Sequence, residues 1–269
     1  MGIVKSICDL IILHSLYPMN NKIITIFLVG LLTVSCNQEK DIKINAESLT
    51  ENDLPICKNT HCPEITINYL QVYGNDEAAQ KVNNKIKEFI ISSLGSIGEV
   101  KSSAKSIEEA ASNFVAAYNT DKAEFPDMAG DYFAEISVNE LYNTPTHICF
   151  EMRQYLYTGG AHGYGTTSFL NIDPQTGNEL TQEQLFKNKK DFVAFAEKKF
   201  RLQQNISQDQ SINEQGYWFE NDSFYLPSSV GFTQDSIIFV YNQYDIASYA
   251  EGPIELKIAM NEAAPFLDN

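Results

Sequence analysis

The chain has 269 residues, of which 43% are hydrophobic and 12% aromatic, so it can bury a sizeable core and is not a disordered chain. Its formal net charge is −16, and the sequence pI is near 4.6. A chain this acidic lacks the basic footprint that nucleic acid or an anionic lipid surface requires. We therefore expect no nucleic-acid partner; the charge favours solubility and, secondarily, a cationic partner.

An uncharged apolar run, Ile23–Val34, follows Lys22 near the start of the chain. It is shorter than the roughly 20 apolar residues of a transmembrane helix, and it has the positive flank and small C-terminal residues of a secretory signal. A cysteine directly after the cut, at Cys36, is typical of a bacterial lipobox. We predict a lipoprotein signal peptide over residues 1–35, with Met19 as an alternative start, and lipid on Cys36.

The predicted lipid places the protein in the bacterial cell envelope, anchored to a membrane rather than spanning it. Asn37 follows the lipidated cysteine, which in Gram-negative sorting fits the outer membrane. Residues 36–54 are predicted to form a polar tether between the lipid and the folded part.

Two cysteines, Cys57 and Cys62, are separated by four residues. Outside the cytoplasm this spacing predicts a disulfide that closes a small loop, worth about 2 kcal/mol. Half a zinc site that includes His61 is the alternative, but no second pair with ligand spacing follows in the sequence. We therefore predict no metal and no cofactor. Cys149 falls in an apolar strand and is predicted to be a buried free thiol.

The first half of the folded part predicts strands around two helices. Residues 65–70 alternate between apolar and polar side chains, which indicates a strand. A helix is predicted to begin near Asn75. Its apolar stripe consists of Val82, Ile86, Phe89 and Ile90. A second helix follows a capping box at Ser106–Glu109. Alternation over 134–138 and 148–152 predicts two antiparallel strands.

The second half predicts further strands and two more helices. The predicted strands cover residues 166–172, 223–226, 237–241 and 254–258. Residues 173–177 have the composition of a turn, with Gly177 where a positive φ is needed. Thr181 is predicted to cap a short helix, an apolar stripe over 192–200 indicates a longer one, and a closing helical turn is predicted over 261–267. The class is α+β, with helices packed on a largely antiparallel or mixed β-sheet.

The densest motif of the chain is Tyr157–Gly163, which contains Gly159, Gly160 and His162. Its glycines permit tight turns and the close approach of another group. The motif lies between two predicted strands, so it does not open a helix as phosphate-binding loops do. His162 can act as a general base or ligand, but a histidine in such a turn more often hydrogen-bonds the backbone.

A second motif, Tyr241–Pro253, is rich in tyrosine. Its rings can line a sugar-binding face, or its phenols can satisfy backbone groups of a structural corner. Both motifs combine small residues with aromatic ones at strand ends. We expect His162, Tyr244 or Tyr249 to meet near one sheet edge, with phenol or imidazole groups hydrogen-bonded to the backbone. We also expect Gly160 to be intolerant of a larger side chain.

The order of three segments, Tyr157–Gly163, Asn171–Phe186 and Tyr244–Pro253, resembles the domain of unknown function in the extracellular part of RsiV-type anti-sigma factors. Residues 56–152 resemble the companion domain that also accompanies the deacetylase domain of PdaC-like enzymes.

The resemblance covers nearly all of the chain after the predicted signal. It implies an N-terminal α/β companion domain over residues 55–155 and a C-terminal RsiV-like domain over residues 156–269.

The resemblance also implies an ectodomain that binds something in the envelope, since the sensing part of RsiV binds lysozyme. We expect no anti-sigma role, because neither a sigma-binding segment nor a transmembrane helix is evident in the sequence. The expected function is a non-catalytic, lipid-anchored binding module that recognises a peptidoglycan or other glycan fragment, or a cationic protein such as lysozyme. The alternative is an envelope hydrolase or deacetylase that uses His162 with a carboxylate.

Overall fold

A computed structural model of the protein describes residues 42–74, 76–95, 103–127 and 130–268. The predicted signal peptide and the lipid site at Cys36 lie outside the described residues. None of the helices in the described part of the chain combines the length and the hydrophobicity that a membrane span requires.

The described residues form an α+β fold with eight strands and five α-helices. The strands are β1 Lys43–Thr50, β2 Glu64–Tyr73, β3 Phe133–Asn143, β4 Ile148–Tyr157, β5 Tyr164–Ile172, β6 Gly231–Phe232, β7 Ser236–Tyr241 and β8 Ile254–Ala259. The helices are α1 Asp76–Leu94, α2 Ile107–Glu124, α3 Gln182–Leu185, α4 Lys189–Gln203 and α5 Met260–Ala263. The predicted fold class is thus confirmed.

The larger sheet has five strands in the order β1-β2-β3-β4-β5. Neighbouring strands are antiparallel except β2 and β3, which are parallel and are connected through α1 and α2. The two helices cover one face of this sheet, because the predicted stripe of α1 is buried there at Val82, Ile86 and Ile90, while Phe89 is partly buried. Ser106 begins α2, and its side chain accepts a hydrogen bond from Glu109 N.

The tether predicted over residues 36–54 is partly wrong, because residues 43–53 belong to the folded unit. β1 pairs with β2 along its whole length, from Lys43 opposite Tyr73 to Thr50 opposite Thr66. Only Leu49 of its eight side chains is buried. β1 is an edge strand: its backbone bonds to β2, while its side chains face solvent. Its sequence therefore shows no alternation of apolar residues.

The smaller sheet has the antiparallel order β6-β7-β8 and forms a second core with α4. This core is rich in phenylalanine: Phe186, Phe192, Phe200, Phe219, Phe232 and Phe239 are all buried. The strand predicted over 223–226 is not formed. Its alternation arises because Phe224 packs into this core, while the carbonyl of Tyr225 accepts a hydrogen bond from the Tyr241 hydroxyl instead of a ladder bond.

The two cores are joined around β5. Although β5 follows the predicted domain boundary at residue 156, it pairs with β4 in the larger sheet. The predicted turn at 173–177 is formed, with φ +67° at Gly177, and a Cβ on this glycine would lie 2.4 Å from Ala78 O of α1. The side chain of Asn171 donates to Val230 O at 2.8 Å. The described residues belong to one compact unit.

Candidate functional site

The connection between β4 and β5 meets the loop between β7 and β8 at one end of the larger sheet. The imidazole of His162 stacks on the ring of Tyr249, with centroids 3.8 Å apart. The hydroxyl of Tyr249 donates to Gly163 O at 2.9 Å, and His162 Nδ1 lies 3.0 Å from the same oxygen. Tyr244 completes what we call the tyrosine–histidine cluster: His162, Tyr244 and Tyr249. This is the juxtaposition expected from the two sequence motifs.

The hydrogen bonds define the protonation pattern of the cluster. His162 Nδ1 faces a carbonyl oxygen, so it carries the proton in the neutral ring. Nε2 is then an acceptor, and the hydroxyl of Tyr244, 3.4 Å away, is the donor. No carboxylate of the described residues hydrogen-bonds to this imidazole, so the acid–base pair of the enzymatic alternative is not assembled at His162.

Asn242 fixes the loop that carries two members of the cluster. Its side-chain Oδ1 accepts from Thr167 N at 2.7 Å, and its Nδ2 donates to Thr167 O at 3.1 Å. The amide thus stands where a sixth strand would pair with the edge of β5. Asp245 closes the turn, since its carboxylate accepts from Asn242 N at 2.7 Å.

This turn holds Tyr244 in a left-handed backbone conformation, with φ +71°. Such a conformation costs a bulky L-residue about 1–2 kcal/mol. The ring recovers little of this through packing, because Tyr244 is 51% exposed. Strain of this kind persists where a side chain serves a purpose other than stability.

The glycines of the Tyr157–Gly163 motif have separate roles, and the expectation for Gly160 is wrong. A Cβ on Gly160 would meet only His162 O, at 3.9 Å, and its φ is not positive. Gly159 has φ +84°. Gly163 is the position of close approach, because a Cβ there would lie 2.3 Å from Tyr155 Cζ.

Tyr155, which precedes the motif, is therefore the tyrosine that packs against its last glycine. Its ring lies along the backbone of Gly163 and of Gly165, which is opposite Tyr155 in the β4–β5 register. Tyr157 lies near Gly130 instead, outside the cluster. Sequence reasoning missed Tyr155 because both tyrosines face the same side of β4, and only the register selects between them.

Next to the cluster is an open groove of about 250 Å³, which we call the Arg153 groove. It is lined by Arg153, Gln154, Tyr155, Gly165, Thr166, Thr167, Asn242, Gln243 and Pro253. Tyr155 is 41% exposed at this groove and touches Gly163 of the motif, so the groove and the cluster are continuous. Arg153 forms no ion pair with any described residue.

A larger cavity of about 590 Å³, which we call the C-terminal cavity, lies between α3, the start of α4 and residues 224–230. Its walls combine apolar and polar side chains, and two of the polar ones, Asn171 and Gln182, are bonded within the fold. Gln182 Nε2 donates to Pro227 O at 2.7 Å and to Ser228 O at 3.0 Å. Asn171 bonds to His147 and to the backbone at Val230.

A third cavity, of about 530 Å³, carries acidic side chains. It is lined by Asp121, Glu124, Phe125, Pro126, Asp127, Thr158 and Gly159. Phe125 is 58% exposed. We call it the acidic cavity; it borders the opposite end of the glycine motif from the Arg153 groove.

The disulfide loop carries a second cluster, which sequence reasoning missed. Cys57 and Cys62 are bonded to each other, so their thiolates are not zinc ligands. Between them, His61 Nε2 lies 2.5 Å from Asp131 Oδ2, and Tyr118 donates to the other oxygen of the carboxylate at 2.6 Å. The hydrogen bond from Tyr118, then that from His61, holds the pKa of Asp131 below its usual range. Burial, then Asp131, raises the pKa of Tyr118 to about 12.

These contacts fasten the disulfide loop to the start of β3 across about 70 residues of sequence, a separation that no local pattern signals. No group of three or more potential metal ligands is present among the described residues.

Two family profiles match different parts of the chain. Residues 179–261 match "Protein of unknown function (DUF3298)", and residues 56–164 match "Deacetylase PdaC". A segment similar to the PdaC family thus precedes one similar to the DUF3298 family. The tyrosine–histidine cluster contains residues from both matched segments. His162 falls in the segment that matches PdaC, and Tyr244 and Tyr249 fall in the segment that matches DUF3298.

Solved structures with the same fold come from the DUF3298 family. A member from Bacteroides fragilis is 20% identical, with a TM-score of 0.60 over 86% of this chain and 95% of its own. A member from Pseudomonas aeruginosa is 20% identical, with a TM-score of 0.55 over 85% of this chain and 94% of its own. These similarities concern the fold. No curated protein matches the sequence.

Proposed function

We propose that this protein is a lipid-anchored binding module of the bacterial cell envelope that recognises a glycan at the tyrosine–histidine cluster and the Arg153 groove. The observation that carries the proposal is the exposure of tyrosine rings beside polar side chains without protein partners. Tyr155 and Tyr244 are 41% and 51% exposed, and Arg153 is unpaired. The PdaC and DUF3298 matches and the resemblance to RsiV-type ectodomains support an envelope role.

The chemistry of the site suits a sugar. Aromatic rings offer flat apolar faces to the C–H groups of a pyranose, and phenol, amide and guanidinium groups hydrogen-bond to its hydroxyls. The groove volume of about 250 Å³ is of the size of a single sugar ring. A longer glycan would continue from the groove over Tyr155 toward Tyr244.

Calorimetric titration with soluble peptidoglycan oligosaccharides tests this proposal. We expect Tyr155→Ala to weaken binding by about tenfold, the loss of one stacked ring. Tyr73→Ala is the matched control, because Tyr73 is a tyrosine of similar exposure, 43%, at the end of β2. Equal affinity of the Tyr155 variant and the wild type would remove the groove from the site.

A second candidate ligand is a cationic protein such as lysozyme, and the acidic cavity favours it. Asp121, Glu124 and Asp127 gather around Phe125, whose ring can contact a guanidinium or ammonium group. Charge complementarity would speed association and weaken it with salt. Binding of lysozyme that is unchanged by salt or by Glu124→Gln with Asp127→Asn would exclude this cavity.

The lipid anchor is tested separately from the ligand. Wild-type protein should incorporate labelled palmitate and sediment with membranes, and Cys36→Ser should do neither. A soluble, unlabelled wild type would refute the anchor and leave the glycan proposal unaffected.

A further inference from the structure

The arginines of this chain are few enough to compare one by one. There are two, Arg153 and Arg201. Arg201 is buried and serves the fold: its Nε donates to Glu197, and its guanidinium donates to the carbonyls of Ser207 and Gln210. Arg153 lines the groove and is exposed, and its guanidinium has no ion pair or hydrogen bond with a described residue.

The lining of the groove is unusual for so acidic a chain. The chain carries 35 acidic and 19 basic residues, yet the residues lining the groove include one cation and no carboxylate. Glu151 lies two residues before Arg153 on the same face of β4, and Glu135 is paired with Tyr155 on β3. Neither forms an ion pair with Arg153. The negative charges of Glu151 and Glu135 repel an anion elsewhere on this face of the sheet. An anion is therefore stabilised only in direct contact with the guanidinium of Arg153.

The neighbours of Arg153 place that charge next to a stacking ring. Arg153 and Tyr155 face the same side of β4, about 7 Å apart along the strand. Thr167 is opposite Arg153 on β5 and brings a hydroxyl to the same wall. A pyranose over Tyr155 would therefore direct a substituent toward Arg153.

From these contacts we infer that the Arg153 groove selects a sugar that carries a carboxylate, which the guanidinium of Arg153 binds in a bidentate pair while the ring stacks on Tyr155. This inference rests on the proposed glycan binding and names the class of sugar. A planar guanidinium fits a carboxylate with two parallel hydrogen bonds, and such charge-assisted pairs are the strong ones. Carboxylate-bearing sugars are of two kinds, uronic acids and sugars with a carboxylate on an ether substituent.

The test compares each acidic sugar with its own methyl ester. The probes are disaccharides that contain glucuronic acid and disaccharides that contain N-acetylmuramic acid, each titrated as the free acid and as the ester. We expect at least one acid to bind the wild type about tenfold more tightly than its ester. The acid that shows the preference identifies the kind of sugar.

Variants assign the preference to Arg153. Arg153→Gln should remove the preference, so that the variant binds the acid and its ester with equal affinity. Arg153→Lys should restore part of the preference, because an ammonium keeps the charge but not the fork. Lys190→Gln is the matched control: it removes one positive charge from an exposed position on α4 and should change nothing.

The outcomes separate this inference from the proposal on which it rests. If acids and esters bind equally, or if Arg153→Gln keeps the preference, glycan binding stands and the role of Arg153 is refuted. If no sugar binds at all, both are refuted.

Discussion

The C-terminal cavity and the Arg153 groove differ in their lining and in how their polar side chains are bonded. In the cavity, the side-chain amides of Gln182 and Asn171 donate hydrogen bonds to backbone carbonyls. In the groove, the guanidinium of Arg153 forms no ion pair or hydrogen bond with a described residue, and Tyr155 is half-exposed. The larger of the two, the C-terminal cavity, is thus the one whose amides already have hydrogen-bond partners within the protein.

The comparison indicates that unpaired polar groups, rather than cavity volume, are the better guide to a candidate binding region. A buried polar group that is already paired gains little from a ligand, and breaking its bond is costly. An unpaired group at an open surface loses only water when a ligand arrives. The strained backbone of Tyr244 belongs to the same region as the unpaired groups, which strengthens the contrast.

The largest expected effect is on stability, at the C-terminal cavity. Asn171 is 4% exposed and bonds to both His147 Nε2 and Val230 O. Asn171→Ala leaves both partners unpaired, so we expect a loss of about 3 kcal/mol in the free energy of unfolding. Urea denaturation measures it, with the exposed Asn139→Ala as the control. Loss of glycan binding in a variant that still folds would contradict the separation of the two regions.

The same network predicts a dependence of stability on pH. Burial lowers the pKa of His147, and its hydrogen bond to Asn171 only partly offsets this. The unfolded chain takes up a proton near pH 6.5, where the folded protein does not, so stability is lost as the pH falls below about 6.5. Denaturation from about pH 8 to about pH 5 should show a smaller loss in His147→Gln than in the wild type. An identical slope in the two proteins would mean that His147 does not contribute.

In the tyrosine–histidine cluster, the most informative variant is Tyr244→Gly. It relieves the left-handed conformation at φ +71° and removes a ring that is largely exposed. We expect thermal stability to stay equal or rise, by up to about 1 kcal/mol, while glycan affinity falls about tenfold. A loss of stability without a loss of affinity would show that Tyr244 is a structural residue.

A pair of glycine variants tests the position of the Tyr155 ring. A Cβ at Gly163 would overlap this ring, whereas one at Gly160 meets open space. Because the overlapping atoms are at the far end of a mobile side chain, Gly163→Ala should move the ring and weaken glycan binding several-fold, at a stability cost of about 1 kcal/mol. Gly160→Ala should leave both quantities unchanged. Equal behaviour of the two variants would contradict the assigned roles.

Local sequence patterns were sufficient to predict most of the fold. The disulfide, the cap at Ser106 and the turn at Gly177 each depend on residues within a few positions of one another, and each is formed. β1 escaped because its role is to present backbone rather than side chains to β2.

Local sequence patterns predicted only part of the candidate site. The two aromatic motifs predicted that His162 and Tyr249 would meet, because both carry composition unusual for a strand end. Arg153 carries no such signal: its importance depends on the register of β4 with β5 and on Asn242, 75 residues from Thr167. When the role of a residue depends on long-range strand pairing, local sequence patterns cannot identify that residue.

The smallest expected effects distinguish the two tyrosines of the cluster. The hydroxyl of Tyr249 donates to Gly163 O at 2.9 Å in a partly buried position, so Tyr249→Phe should cost about 1 kcal/mol. The hydroxyl of Tyr244 is 3.4 Å from His162 Nε2 on an exposed ring, so Tyr244→Phe should cost less than about 0.5 kcal/mol. Thermal melts of the two variants, run together, give the order directly. The reverse order would mean that the cluster is held through His162 and Tyr244 rather than through the backbone at Gly163, and the ring of Tyr244 would then be unavailable to a ligand.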